Sequence, residues 1–199
     1  MASAPGRMFF RGFAESTKKW VVAICLLILA STMLIYVISG VYQNIQHTHA
    51  HPQVVFLRAD LNVPVTKEGE VKVTDDTRIV SSIPTIKELQ SLGAKTVVTS
   101  HMGRPKGKIN ERMRLAPIAE VMAQRLGSPV TAVDDCIGDS VKQVCQSMQS
   151  GDVVLLENLR FHAGETKNEE AFSAQLASDT GAMVYVNDAF GTAHRCAVC

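Results

Sequence analysis

From Val54 onward, short aliphatic runs alternate with longer stretches of helical periodicity. VVFLRAD (54–60), TVVTS (96–100), DVVLLE (152–157) and MVYVND (183–188) are Val/Leu-rich, are bounded by Gly, Asp or Pro, and each predicts a strand. PVTAV (129–133) is a shorter candidate. Between them, TRIVSSIPTIKELQSLG (77–93) predicts a helix capped by Asp75 and Asp76, closed by Gly93 and broken into two pieces at Pro84. Helical spacing recurs in 115–127, 140–151 and 168–181, and each of these segments ends on a glycine. Near-continuous apolar strands alternating with helices imply an α/β fold. We expect a Rossmann-like, three-layer arrangement with a parallel sheet covered on both faces.

The pattern before residue 53 is different. Val21 to Val41 is 21 residues without a charge, about 30 Å as a helix, which matches the thickness of a bilayer core. Trp20 lies at one edge, Tyr36 and Tyr42 toward the other, and Lys18 and Lys19 just outside. The expected organisation is a basic segment over 1–19, a single transmembrane helix over 20–42, a polar linker over 43–53 and the α/β domain over 54–199. A cleaved signal is the rival reading, but its apolar core is usually only about 7–15 residues long. The expected location is a membrane, crossed once, with a lipid bilayer as partner. A plastid reached through a signal-like leader and the cytoplasm are the alternatives.

The formal net charge of +1 hides an asymmetry. Before Trp20 there are four cations and one acid; after residue 53 there are 16 Lys and Arg against 18 Asp and Glu. The domain is therefore not a general polyanion binder, and no nucleic-acid partner is expected. Five cysteines form no disulfide framework, and the terminal Cys196-x-x-Cys199 lacks a second pair. His47, His49 and His51 read as a solvated linker, so no metal site is expected.

Ligands of such sheets bind beyond the carboxyl ends of the strands. After the first predicted strand come Asp60 and Asn62, and after the second His101, Gly103, Arg104, Lys106 and Lys108. Asn158, Arg160 and His162 follow the 152–157 run, and Asn187, Asp188, His194 and Arg195 close the last. Arg78, at the start of the first helix, belongs to the same rim. Four arginines and two or three histidines gathered at one edge of a negatively charged domain predict a pocket for a small, multiply charged anion. Gly103 to Lys108 is not a phosphate loop of the Walker type: three residues separate its glycines where four are needed, and Ile109 stands where Ser or Thr would meet magnesium.

RADLNVPV (58–65) resembles the opening signature of phosphoglycerate kinases. TDDTRI (74–79), SHMGRPKG (100–107), LLENLRFH (155–162), GETKN (164–168) and YVNDAFGTAHR (185–195) resemble further blocks of that family, in its order. Leu61 replaces the usual Phe. RLAPIA (114–119) and DDCIG (134–138) look most like cyanobacterial and plastid members. The resemblance implies phosphoryl transfer between ATP and 3-phosphoglycerate, giving ADP and 1,3-bisphosphoglycerate, in a monomer. It implies that Asp60 and Asn62 contact the glycerate, and that His101, Arg104, Arg160, His194 and Arg195 form a basic patch. The resemblance also makes Arg78 the catalytic residue, expected to reach the transferring group. It ends at Arg195, so Mg-ATP or ADP is expected on a C-terminal domain absent from this chain. The expected function is the substrate-binding half of the kinase, inactive alone. The alternatives are a membrane-tethered 3-phosphoglycerate-binding module without catalysis, or a truncated nonfunctional product.

Overall fold

The computed structural model describes residues 53–189. The segments expected over 1–19 and 20–42, most of the linker, and His194, Arg195, Cys196 and Cys199 lie outside the described residues. Among the described residues, no helix is long and apolar enough to cross a membrane.

Five strands form one parallel sheet: β1 (Val54–Ala59), β2 (Lys95–Thr99), β3 (Val130–Ala132), β4 (Val153–Leu155) and β5 (Val184–Asp188), in the spatial order β3-β4-β2-β1-β5. The helices are α1 (Thr77–Ser91), α2 (Ala116–Leu126), α3 (Asp139–Ser147), α4 (Ala163–Lys167) and α5 (Glu170–Thr180). The connections β1–α1–β2 and β2–α2–β3 run in one direction along the sheet. Those through α3, and through α4 and α5, run in the other. Right-handed crossovers therefore put α1 and α2 on one face and α3 to α5 on the other. The expected three-layer α/β architecture is what forms.

Register explains the core. Phe56 pairs with Val97 and Val97 with Val154, and these three share one face. They pack with Val141 and Cys145 of α3 and Phe172 and Leu176 of α5. Leu57, Val98 and Leu155 are the neighbouring positions and so point to the opposite face. Ile79, Ile83, Ile86 and Leu89 of α1 and Ile118 and Met122 of α2 are buried. Arg58 stands two residues beyond Phe56 and therefore turns its side chain to the α3–α5 face, although it lies in the middle of an apolar strand.

Two local expectations are corrected. Pro84 does not break α1, which runs unbroken from Thr77 to Ser91. The backbone bond it forgoes would have gone to the carbonyl of Val80, an exposed residue, where water can replace the missing donor. Asp76 makes no capping bond to α1. Asp75 alone accepts the Thr77 N–H, at 2.9 Å, while Asp76 pairs with Arg125 of α2 at 2.6 Å. The helix expected over 168–181 forms as α5 (Glu170–Thr180); the short α4 before it, ended by Asn168 in a left-handed conformation (φ 56°), is an addition that the helical spacing did not predict.

Candidate anion site

The sheet brings the ends of β1, β2 and β4 side by side, and most of the rim residues meet there. Asp60 Oδ2 accepts from Arg78 Nη1 at 2.7 Å, and its other oxygen accepts from the Asn62 N–H. Asn62 Oδ1 accepts from the Gly103 N–H at 2.9 Å, and the Gly103 carbonyl accepts from Arg160 Nη1 at 2.8 Å. The first half of the rim is thus tied to the loop after β4 through one glycine in a left-handed conformation (φ 60°). Gly107 (φ 73°) closes the same loop. Its N–H donates to the Arg160 carbonyl, and a Cβ there would meet Ala163 at 3.1 Å.

Asn158 fixes the loop after β4. It is fully buried. Its Oδ1 accepts from the Met102 and Arg160 N–H groups, while its Nδ2 donates to the Met102 and Met113 carbonyls. All of its polar valences are used, so it is a structural tie that sets Arg160.

Beneath the rim lie two residues that sequence reasoning passed over. Arg58 is 6% exposed, and its Nη2 donates to Glu165 Oε1 at 3.2 Å. Arg160 Nε donates to the second oxygen of the same carboxylate at 3.3 Å. Glu165 is 3% exposed. Burial holds the Arg58 guanidinium below its usual value, and Glu165 is the main influence opposing that shift. Both residues sit inside quoted motifs, RADLNVPV and GETKN, but Arg58 reads as strand and Glu165 carries no assigned element or role. Only the pairing of β1 with β2 and β2 with β4 brings them together.

His101 is buried beside this group, and its Nδ1 has no hydrogen-bond partner among the described residues. Burial, reinforced by Arg160 and Arg58, lowers its pKa to about 4, so the ring is neutral at pH 7. Nη1 of Arg58 is likewise buried and unpartnered. These two buried polar atoms, beside two guanidiniums, have no partner among the described residues, and a polar ligand would satisfy them.

Other rim residues fall outside the cluster. Arg104 is exposed, and no ion pair or hydrogen bond of its side chain occurs among the described residues. Lys106 and Lys108 are exposed. Asp188 accepts from Thr85 of α1, and burial raises its pKa. His162 pairs with Asp135 at 2.7 Å and stacks on Phe172, with ring centroids 5.3 Å apart. Asp135, Cys136 and His162 place three possible metal donors within 4.8 Å of one another, a grouping that spacing along the chain does not reveal. The Cys136 thiol, however, is fully buried, and burial followed by the Asp135 charge drives it well above its usual range. The His162–Asp135 pair ties the segment after β3 to the loop after β4.

Fold and site together define a parallel α/β domain whose strand ends carry a partly buried cluster of arginines suited to a small anion. The family model for phosphoglycerate kinase matches residues 45–198, and the chain belongs to that family. It is 55% identical over 141 residues to the phosphoglycerate kinase of Acaryochloris marina, covering 71% of this chain and 34% of that protein. To the chloroplastic enzyme of Chlamydomonas reinhardtii it is 52% identical over 141 residues, covering 71% of this chain and 30% of that one. The structure of phosphoglycerate kinase from Pyrococcus horikoshii superposes with a TM-score of 0.63 at 34% identity, over 73% of this chain and 36% of that one. The chain therefore spans about a third of the length of the curated relatives it matches.

Proposed function

We propose that the described domain binds 3-phosphoglycerate or 1,3-bisphosphoglycerate and serves as the substrate half of a phosphoglycerate kinase. The observation that carries this reading is the buried arginine cluster with unpartnered Arg58 Nη1 and His101 Nδ1 at its floor. A phosphate or carboxylate supplies acceptor oxygens of matching charge for those donors. Asp60 and Asn62, already tied to Arg78 and Gly103, stand where hydroxyl groups of the glycerate would be held. His194 and Arg195 complete the basic patch in this reading.

Phosphoryl transfer needs alignment and charge neutralisation more than covalent chemistry from the protein. Arg160 and Arg58 hold the non-reacting end of the substrate. Arg78, on the first turn of α1, is the catalytic residue, swinging from Asp60 to the transferring group. Mg-ATP or ADP would be bound by the portion of the family's length that this chain does not cover, so turnover is expected only when that portion is supplied. The chain acts as a monomer and is anchored by residues 20–42. What supports the anchor is the 21-residue uncharged run with its flanking Trp20, Lys18 and Lys19.

Calorimetric titration of the full chain in detergent tests the binding. Saturable one-to-one uptake of 3-phosphoglycerate, weakening as salt is added, is the expected result. Heat no larger than for glycerol would overturn it. Carbonate extraction tests the anchor: the full chain should stay in the membrane pellet, and release into the supernatant would count against it.

A further inference from the structure

A fully buried acid is an unfavourable neighbour for an anion, yet Glu165 lies at the floor of the anion site. Its carboxylate is divided between two guanidiniums, Oε1 to Arg58 and Oε2 to Arg160. Neither arginine could be buried as a cation beside the other without it, since Arg160 repels Arg58 and burial disfavours the Arg58 charge further. The division also leaves particular donors over. Arg58 spends Nη2 on Glu165 and keeps Nη1 free. Arg160 spends Nε on Glu165 and Nη1 on the Gly103 carbonyl, which fixes the plane of its fork.

Glu165 is itself held rigidly. Its N–H donates to the His162 carbonyl, and its own carbonyl accepts from the Asn168 N–H. The preceding residue, Gly164, packs so tightly on α5 that a Cβ there would lie 2.7 Å from Phe172 Cβ. The short helix α4 therefore has one rotational setting, and that setting aims Glu165 between the two arginines.

The geometry points to Glu165 as a positioning residue of the anion site: it gives up Coulombic attraction for the ligand and in exchange fixes Arg58 and Arg160 so that their remaining donors converge. This rests on the functional reading above, but it makes a prediction of opposite sign to simple electrostatics. Removing a negative charge beside a bound anion should tighten binding. Removing a positioning contact should weaken it.

The test is Glu165→Gln, nearly isosteric and neutral, in the full chain in detergent, with cooperative unfolding checked first. Two readouts are used. One is affinity for 3-phosphoglycerate and for inorganic phosphate. The other is the exchange rate of the Arg160 Nε–H proton by NMR in the ligand-free protein, assigned through Arg160→Lys. The proposal expects Glu165→Gln to bind both anions about tenfold more weakly and to lose the slow exchange of that proton. Equal or tighter binding with unchanged exchange would overturn it. If Glu165→Gln does not fold, Glu165→Asp decides: a carboxylate one methylene shorter keeps the charge but does not span both guanidiniums. It should bind more weakly than the parent, and parental affinity would count against the proposal. Failure of the parent chain to bind 3-phosphoglycerate would overturn the functional reading alone, because the Nε–H exchange still decides the role of Glu165.

Discussion

The rim contains two arginine–carboxylate arrangements that differ mainly in burial. In the inner one, Arg58 and Arg160 share Glu165, with side chains 7%, 12% and 3% exposed. In the outer one, Arg78 meets Asp60 at a shorter 2.7 Å, but its side chain is 51% exposed. Distance alone would rank the outer pair as the stronger. Solvent reverses that ranking: exposed pairs contribute little, while a buried charge stripped of its partner is costly. The inner arginines are therefore held fixed in the folded domain, and Arg78 is free to leave Asp60. Under the proposed function, both kinds of arginine are needed: fixed ones to hold the substrate and a mobile one to follow the phosphoryl group.

The contrast is sharpest for catalysis. In a chimera where residues 54–195 replace the matching segment of the Acaryochloris marina enzyme, Arg78→Ala should lower kcat about 10³-fold, as loss of a transition-state arginine does. Affinity for 3-phosphoglycerate should change less than about threefold. If affinity and kcat fell together, Arg78 would belong with the inner group.

Stability separates the two arrangements next. Glu165→Ala should destabilise the domain by about 3–5 kcal/mol, because Arg58 is left buried and uncompensated. Asp60→Ala should cost less than about 1 kcal/mol. Denaturant unfolding of the full chain measures both, and equal losses would erase the distinction.

His101 extends the inner region into pH dependence. Its folded pKa of about 4 lies below the usual 6.5. The unfolded chain therefore binds more protons between those values, and stability rises with pH across that window. The contribution is fully present above pH 6.5, is lost as pH falls toward 4, and is on the order of 3 kcal/mol. His101→Asn should flatten this part of the pH–stability curve; an unaltered slope would show that another group carries it.

The two regions also differ in how far they can be read from the chain. Asp60, Asn62, Arg78, His101 and Arg160 follow strand ends that are visible as apolar runs, so their convergence is legible in advance. The strands come out within a residue or two of their expected limits, the 152–157 run shortening to Val153–Leu155. Arg58 and Glu165 are not legible in that way. One sits inside a strand, the other in a five-residue helix, 107 positions apart. Their meeting depends on the order β4-β2-β1, which no local pattern encodes. The same holds for Asp135 and His162. Pro84 fails for a different reason: the rule that proline ends a helix describes the loss of a backbone donor, and an exposed Val80 carbonyl makes that loss tolerable.

The central claim is that the cations at these strand ends bind 3-phosphoglycerate. Its most direct measurement is the 3-phosphoglycerate affinity of the full chain carrying Arg104→Ala and Arg160→Ala together, after cooperative unfolding has been verified, with Lys87→Ala as a control. Arg160 is tied to Glu165 and the Gly103 carbonyl, and Arg104 is exposed and unpaired among the described residues, so the double variant removes one fixed and one exposed cation. Each charge-assisted contact is worth about 1.5–3 kcal/mol, so binding should weaken at least about a hundredfold, while Lys87→Ala stays at the parental value. A folded double variant that binds 3-phosphoglycerate as tightly as the parent would contradict the account.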